Sequence, residues 1–141
     1  MIAEEMWKKS GIVGEYEAWC FGGAPDKLAE LVLHGKKTAT ASAYPLYKAD
    51  GEELPKVGEY SVILDSKDEA VCVIRTTRVY VETFENVSER HAALEGEGDL
   101  SLEYWRCVHR EFFTDELKPY GMEFDEKMKV VCEEFEKVYP K

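Results

Sequence analysis

The run from Ala70 to Tyr80 constrains this chain most. Val71, Val73 and Val79 fall on one parity, and Cys72 and Ile74 on the other. Successive strand residues point to opposite faces, so the segment reads as a long strand partly buried on both sides. Residues 59–65 place Tyr60, Val62 and Leu64 on one face of a second strand. Thr38-Ala39-Thr40-Ala41-Ser42 alternates hydroxyl and methyl, which gives a third. Residues 127–138 carry Met128, Val130 and Cys132, then Phe135 and Val138. The change of parity predicts a last strand with a bulge near Glu133-Glu134.

Helical periods lie between these runs. Over residues 25–34, Leu28, Leu31 and Val32 recur at i, i+3, i+4, with Pro25 in the first turn and Gly35 just past the end. Over residues 101–117, Leu102, Trp105, Val108 and Phe112 form one apolar stripe. Shorter helices are predicted at 3–9, with Met6 and Trp7 inward, and at 87–94, with Ser88 as N-cap. Gly22-Gly23 breaks the chain after Tyr16, Trp19 and Phe21. Pro45, Asp50-Gly51, Pro55 and Gly58 mark a loop, and residues 95–99 a turn. Strands separated by short helices, without regular βαβ alternation, predict an α+β fold on a small barrel or curled sheet. Residues 1–15 read as an N-terminal helical extension and residues 16–141 as the single domain that follows.

The charge balance narrows the partners. Eighteen basic residues against 29 acidic ones give a net charge of −11 over 141 residues. Gripping duplex DNA requires Lys and Arg to displace counterions, so a duplex DNA partner is not expected. The first residues, Met1-Ile2-Ala3-Glu4-Glu5, lack the basic and apolar regions of a secretion signal, and no apolar run is long enough to span a bilayer. Cys20, Cys72, Cys107 and Cys132 are widely and irregularly spaced. That pattern predicts buried, reduced thiols in a cytoplasmic protein, with neither a metal site nor a cofactor. The oligomeric state stays open.

Two polar clusters carry the candidate chemistry. Gly35-Lys36-Lys37-Thr38-Ala39-Thr40 follows an apolar helix. Lys36 and Lys37 there complement the helix dipole. Alternatively, Lys37 enters a cleft beside Thr40, a desolvated amine acting as base to a hydroxyl nucleophile. Residues three apart on a regular strand face opposite ways, so Lys37 and Thr40 converge only if Lys37 precedes the strand or a bulge intervenes. In an unbroken strand Lys36, Thr38, Thr40 and Ser42 share a face. Glu95-Gly96-Glu97-Gly98-Asp99 is either an acidic surface turn or a device that brings a carboxylate, best Glu95, to a pocket rim. Trp105 reads as core. Arg106, His109 and Arg110 form either a solvated helix face or a small basic ridge for phosphate. Trp19, Phe21, Tyr44 and Tyr47 can pack internally or stack on a base.

Gly35-Lys36-Lys37-Thr38-Ala39-Thr40 resembles the Gly-x-Lys-x-x-Thr signature of ASCH domains, relatives of the PUA fold. The preceding Ala29–His34 matches the helix leading into it. His91–Asp99 and Trp105-Arg106, with His109–Phe113, resemble a bacterial branch of that family, and the likeness spans residues 16–138. The resemblance implies a PUA-like small β-barrel flanked by helices, a cleft beside the first helix, and an RNA or nucleoside ligand. Some relatives are amidohydrolases that deacetylate N4-acetylcytidine with a Lys, a Thr and a Glu; by motif these map to Lys37, Thr40 and Glu95. Other relatives are described as ribonucleases or as RNA binders. Those amidohydrolases are shorter, without the N-terminal segment or so long a Trp105 helix. The expectation is a metal-independent hydrolase of RNA or a modified nucleoside using Lys37, Thr40 and Glu95. Trp19, Phe21, Lys36, Ser42, Tyr44, Arg106 and His109 would contact the ligand. The alternatives are a non-catalytic RNA- or nucleotide-binding module and an acidic domain that contacts another protein.

Overall fold

Val73 and Ile74 are adjacent in the longest strand and both are fully buried, because separate layers cover its two faces. The computed structural model describes residues 1–141. The strands are β1 (Glu17–Trp19), β2 (Ala39–Ala43), β3 (Tyr60–Leu64), β4 (Ala70–Thr83) and β5 (Lys129–Tyr139). The helices are α1 (Ala3–Ser10), α2 (Pro25–Leu33), α3 (Tyr44–Asp50), α4 (Glu89–Glu95) and α5 (Leu102–Leu117), with short 3-10 turns at Phe84–Asn86 and Lys118–Tyr120. The strands join in the order β1-β3-β4-β5-β2; β1 runs parallel to β3 and every other pairing is antiparallel. They curl into a half-barrel, and the fold is α+β as the sequence predicts.

Three apolar clusters hold the layers. Met6 and Trp7 of α1 pack on Val62 and Val73. Ala29 and Val32 of α2 pack on Ile63, Cys72, Ile74 and Phe135. Trp105, Phe113 and Leu117 of α5 meet Phe84, Val130 and Cys132. The inward stripe of α5 runs through Trp105, His109, Phe113 and Leu117, so His109 lies inside rather than on a solvated ridge.

Several sequence expectations need correction. The predicted bulge sits on the facing strand: Thr76 pairs Phe135 and Arg78 pairs Glu134, so Thr77 of β4 is the extra residue. The parity change in β5 has another cause, since Val130 to Glu133 are buried on both faces. The proline-marked loop begins with α3, where Pro45 occupies the first turn and its missing N–H costs nothing. Strand β1, three residues long, escapes a periodicity reading. Cys72 and Cys132 are buried, and burial pushes both thiols up to about 12. Cys20 and Cys107 are exposed, contrary to the expectation of buried thiols throughout. No helix is long and apolar enough to cross a membrane.

The curl positions the site. Ser61, Thr76 and Glu133, from three neighbouring strands, line a cleft of about 870 Å3. Residues of β1 and β2, the two ends of the strand order, line the same cleft.

Candidate functional site

The end of α2 places Lys37. Gly35 takes a φ of +74°, and the N–H groups of Lys36 and Lys37 both donate to the Leu31 carbonyl, at 2.9 and 3.1 Å. The chain thus closes the helix before β2 begins, and Lys37 stands ahead of the regular strand. This removes the parity conflict with Thr40.

The end of α4 places Glu95. Ser88 caps the helix by accepting from the His91 N–H at 3.0 Å. At the other end, the Thr38 N–H donates to the Leu94 carbonyl at 2.8 Å, and the Thr38 hydroxyl does so at 3.3 Å. Gly96 closes α4 with φ +72°, and a Cβ there would lie 2.1 Å from the Lys36 carbonyl oxygen. Only glycine allows the helix end to approach the turn ahead of β2 so closely. Glu95 and Lys37 are brought face to face by this contact.

The Lys37 side chain is 1% exposed. Its amine donates to Glu95 Oε1 at 3.2 Å, to Glu97 Oε2 at 3.1 Å and to the Glu95 carbonyl at 3.4 Å. It also lies 5.3 Å from the centre of the Phe21 ring. Glu95 is held from the other side: Oε2 accepts from His91 Nε2 at 2.8 Å and from the Trp105 indole at 2.5 Å. His109 stacks on Trp105, with ring centres 4.2 Å apart. Its Nδ1–H donates to the Trp105 carbonyl at 2.9 Å, and its Nε2 lies 3.5 Å from Glu95 Oε1.

Burial works against ionising Glu95, yet the Lys37 charge and the hydrogen bonds from His109 and His91 outweigh it. The carboxyl is held well below its usual range. Burial likewise opposes protonation of His109, and the hydrogen bond and charge of Glu95 overcome it, raising the imidazole. Glu95, Glu97 and His109 bring one donor atom each to within 4.8 Å of one another, a set able to hold a metal. The Lys37 ammonium already lies against both of those carboxylates and supplies a cation there.

A pocket of about 310 Å3 opens on this network; Phe21, Lys37, Thr40, Glu95, Glu97 and His109 are among its walls. It adjoins the larger cleft, sharing Phe21, Thr40 and Phe112. Trp19 and Ser42 line the cleft only, and the Ser42 hydroxyl is 2.7 Å from that of Tyr47. Thr40 is half-buried at the junction, and its hydroxyl forms no hydrogen bond to Lys37.

Three expected residues lie elsewhere. Lys36 points to solvent at the turn after α2. Tyr44 is exposed at the start of α3, with Lys129 5.7 Å from its ring centre. Arg106 follows Trp105 about 100° around the helix and donates to the Glu85 carbonyl at 2.8 Å. Conversely, His91 and Glu133 take part although they are not among the expected site residues, and Glu97, a member of the acidic cluster in which Glu95 is the expected carboxylate, joins it at Lys37. His91 and Glu95 are an i, i+4 pair on α4, which is the signal that could have found the first.

The cleft carries Glu17, Glu52, Glu53, Glu59, Glu116 and Glu133, and no Lys, Arg or His. Burial pushes Glu133 and Glu116 up.

Comparison with known proteins places the chain in a family. The ASCH domain family model matches residues 17–139. A crystal structure of an ASCH domain from Lactobacillus crispatus is similar at a TM-score of 0.91 and 32% identity, covering 96% of this chain and 93% of that one. A protein from Enterococcus faecalis gives a TM-score of 0.86 at 36% identity, over 96% of this chain and 89% of that one. None of the curated proteins matches the chain.

Proposed function

The chain belongs to the ASCH domain family, with its PUA-like fold, and from that premise we propose a metal-independent hydrolase of an acylated nucleoside, of the N4-acetylcytidine type. One observation carries the reading. A buried cation, Lys37, and a hydroxyl, Thr40, line a single pocket that opens into a cleft large enough for a heterocycle and its sugar.

In this reading the heterocycle lies in the cleft between Trp19, Phe21 and Tyr47, and the acyl group enters the smaller pocket. The Thr40 hydroxyl attacks the acyl carbon while Lys37 faces the acyl oxygen and stabilises its developing negative charge. Glu95 is a positioning residue: enclosed and held ionised, it fixes the Lys37 amine and is unsuited to donating a proton. His91, Trp105 and His109 in turn fix Glu95.

Charge supports a nucleoside over an RNA strand. Six carboxyl groups and no cation line the cleft, so a phosphate entering it would meet repulsion and release no counterions. The test is turnover of N4-acetylcytidine, followed by release of cytidine. Activity lost in Lys37→Ala and in Thr40→Val, with the fold retained, supports the hydrolase; activity unchanged in either overturns it.

A second reading, a nucleoside-binding module without chemistry, is favoured by the lack of any hydrogen bond between Thr40 and Lys37. Saturable binding of cytidine with no product from the acetylated form would establish it.

A further inference from the structure

The network around Glu95 holds Lys37 in place, and its two central members, Lys37 and Glu95, are not free to take the Thr40 proton and return one to the leaving nitrogen. Lys37 is engaged by three oxygens, and Glu95 is held ionised by its partners. The opposite side of Thr40 is different. In the antiparallel β2–β5 pairing Thr40 stands directly across from Glu133, and both line the cleft. Side chains of such a pair share a face, with Cβ atoms about 5 Å apart. Glu133 is 9% exposed, and its Oε2 accepts from the Thr76 hydroxyl at 2.7 Å. Oε1 has no hydrogen-bond partner within the protein and is free to meet a ligand.

We propose that Glu133 is the proton shuttle of this site, serving Thr40 on attack and the exocyclic nitrogen on departure. The assignment rests on the hydrolase reading above. As the Thr40 Oγ–carbon bond forms, the hydroxyl proton passes to Glu133. As the carbon–nitrogen bond breaks, Glu133 hands that proton to the nitrogen, which leaves as a neutral amine. Water then attacks the Thr40 ester, giving its proton to Glu133. Glu133 returns one to Thr40 Oγ as the carboxylic acid departs. The carboxylate ends each half-reaction as it began.

The surroundings suit this role. A shuttle works best with a proton affinity near the working pH. Burial raises that of Glu133, the Thr76 hydrogen bond opposes the rise, and Glu59 and Glu17 add to it. The other titratable groups lining the cleft are Tyr47 from α3, Glu52 and Glu53 from the loop after it, Glu116 from α5, Glu17 of β1, Cys20 just after β1 and Glu59 just before β3; none is a cation.

The experiment is the pH–rate profile of N4-acetylcytidine turnover in the full chain, with circular dichroism confirming the fold of each variant. Glu133→Gln should lower kcat by about 100-fold or more, leave KM within a few-fold and abolish the acidic limb. Glu133→Asp should recover part of the rate. Thr76→Val, which removes the bond that favours the ionised carboxyl, should move the acidic limb to higher pH, a shift that a merely structural Glu133 would not produce. Turnover that survives Glu133→Gln with an unaltered profile overturns this assignment and leaves the hydrolase standing. No turnover by the unaltered protein overturns both.

Discussion

The Lys37 amine lies 3.2 Å from Glu95 Oε1, with 1% and 2% of the two side chains exposed. A buried pair of this kind is strongly destabilising to break from one side only, because the remaining charge is left without compensation. Lys37→Met leaves Glu95 and Glu97 without their cation and should cost about 3 kcal/mol. Adding Glu95→Gln in the same chain should cost less than the sum of the two single changes. Urea unfolding of the four proteins measures this; strict additivity would show that the two groups are not coupled.

The same network sets a pH dependence with two opposite limbs. The Glu95 carboxyl is held below its ordinary 4.5. Its contribution to stability is therefore present above 4.5 and disappears as pH falls through the lower, folded value. His109 is raised above 6.5, so its contribution is complete below 6.5 and is lost as pH rises through the folded value. Replacing His109 with Phe, which keeps an aromatic ring on Trp105, should remove the alkaline decline in Tm and leave the acid limb. Melting curves from mildly acidic to mildly alkaline buffer test it, and an alkaline limb that persists in the variant counts against the assignment.

Gly96 and Gly121 form a natural comparison. Both have positive φ, +72° and +70°. A methyl on Gly121 meets nothing within 4 Å, whereas one on Gly96 would strike the Lys36 carbonyl at 2.1 Å. Gly121→Ala should lose only the left-handed backbone cost, about 1 kcal/mol. Gly96→Ala should lose at least twice as much and, by prising the end of α4 from the Lys36–Lys37 turn, should also reduce turnover. Equal losses at the two positions would mean that the contact beside Lys36 is slack.

How far these features can be read from sequence depends on how local their causes are. Helix α2, with its proline start and glycine stop, and the hydroxyl alternation of β2 are properties of a few neighbouring residues. The meeting of Lys37 with Glu95 joins residues 58 apart and depends on a tertiary contact at Gly96 that no periodicity reveals. The motif could nominate both residues, but the sealed character of Glu95 required the two histidines and Trp105 to be in view. Arg106 falls outside both pockets because helix spacing tells which residues share a face, not which way the face points. Glu133 is hidden in the sequence of β5 because a strand buried on both faces conceals which of its positions opens into a cleft.

Trp105 offers a test of whether the donors behind Glu95 matter in their own right. Its indole N–H reaches Glu95 Oε2, while its ring packs 5.2 Å from Phe84 and stacks on His109. Trp105→Phe keeps an apolar ring in the core and removes the donor, so the carboxylate depends on His91 alone at that oxygen. Losing a hydrogen bond to a buried charged group should cost about 2–3 kcal/mol. Because the lost bond favours the ionised form, the acid limb of stability should also move to higher pH. A variant with lower stability and an unmoved acid limb would trace the loss to packing alone, and Glu95 would then owe its ionisation to Lys37 and the histidines.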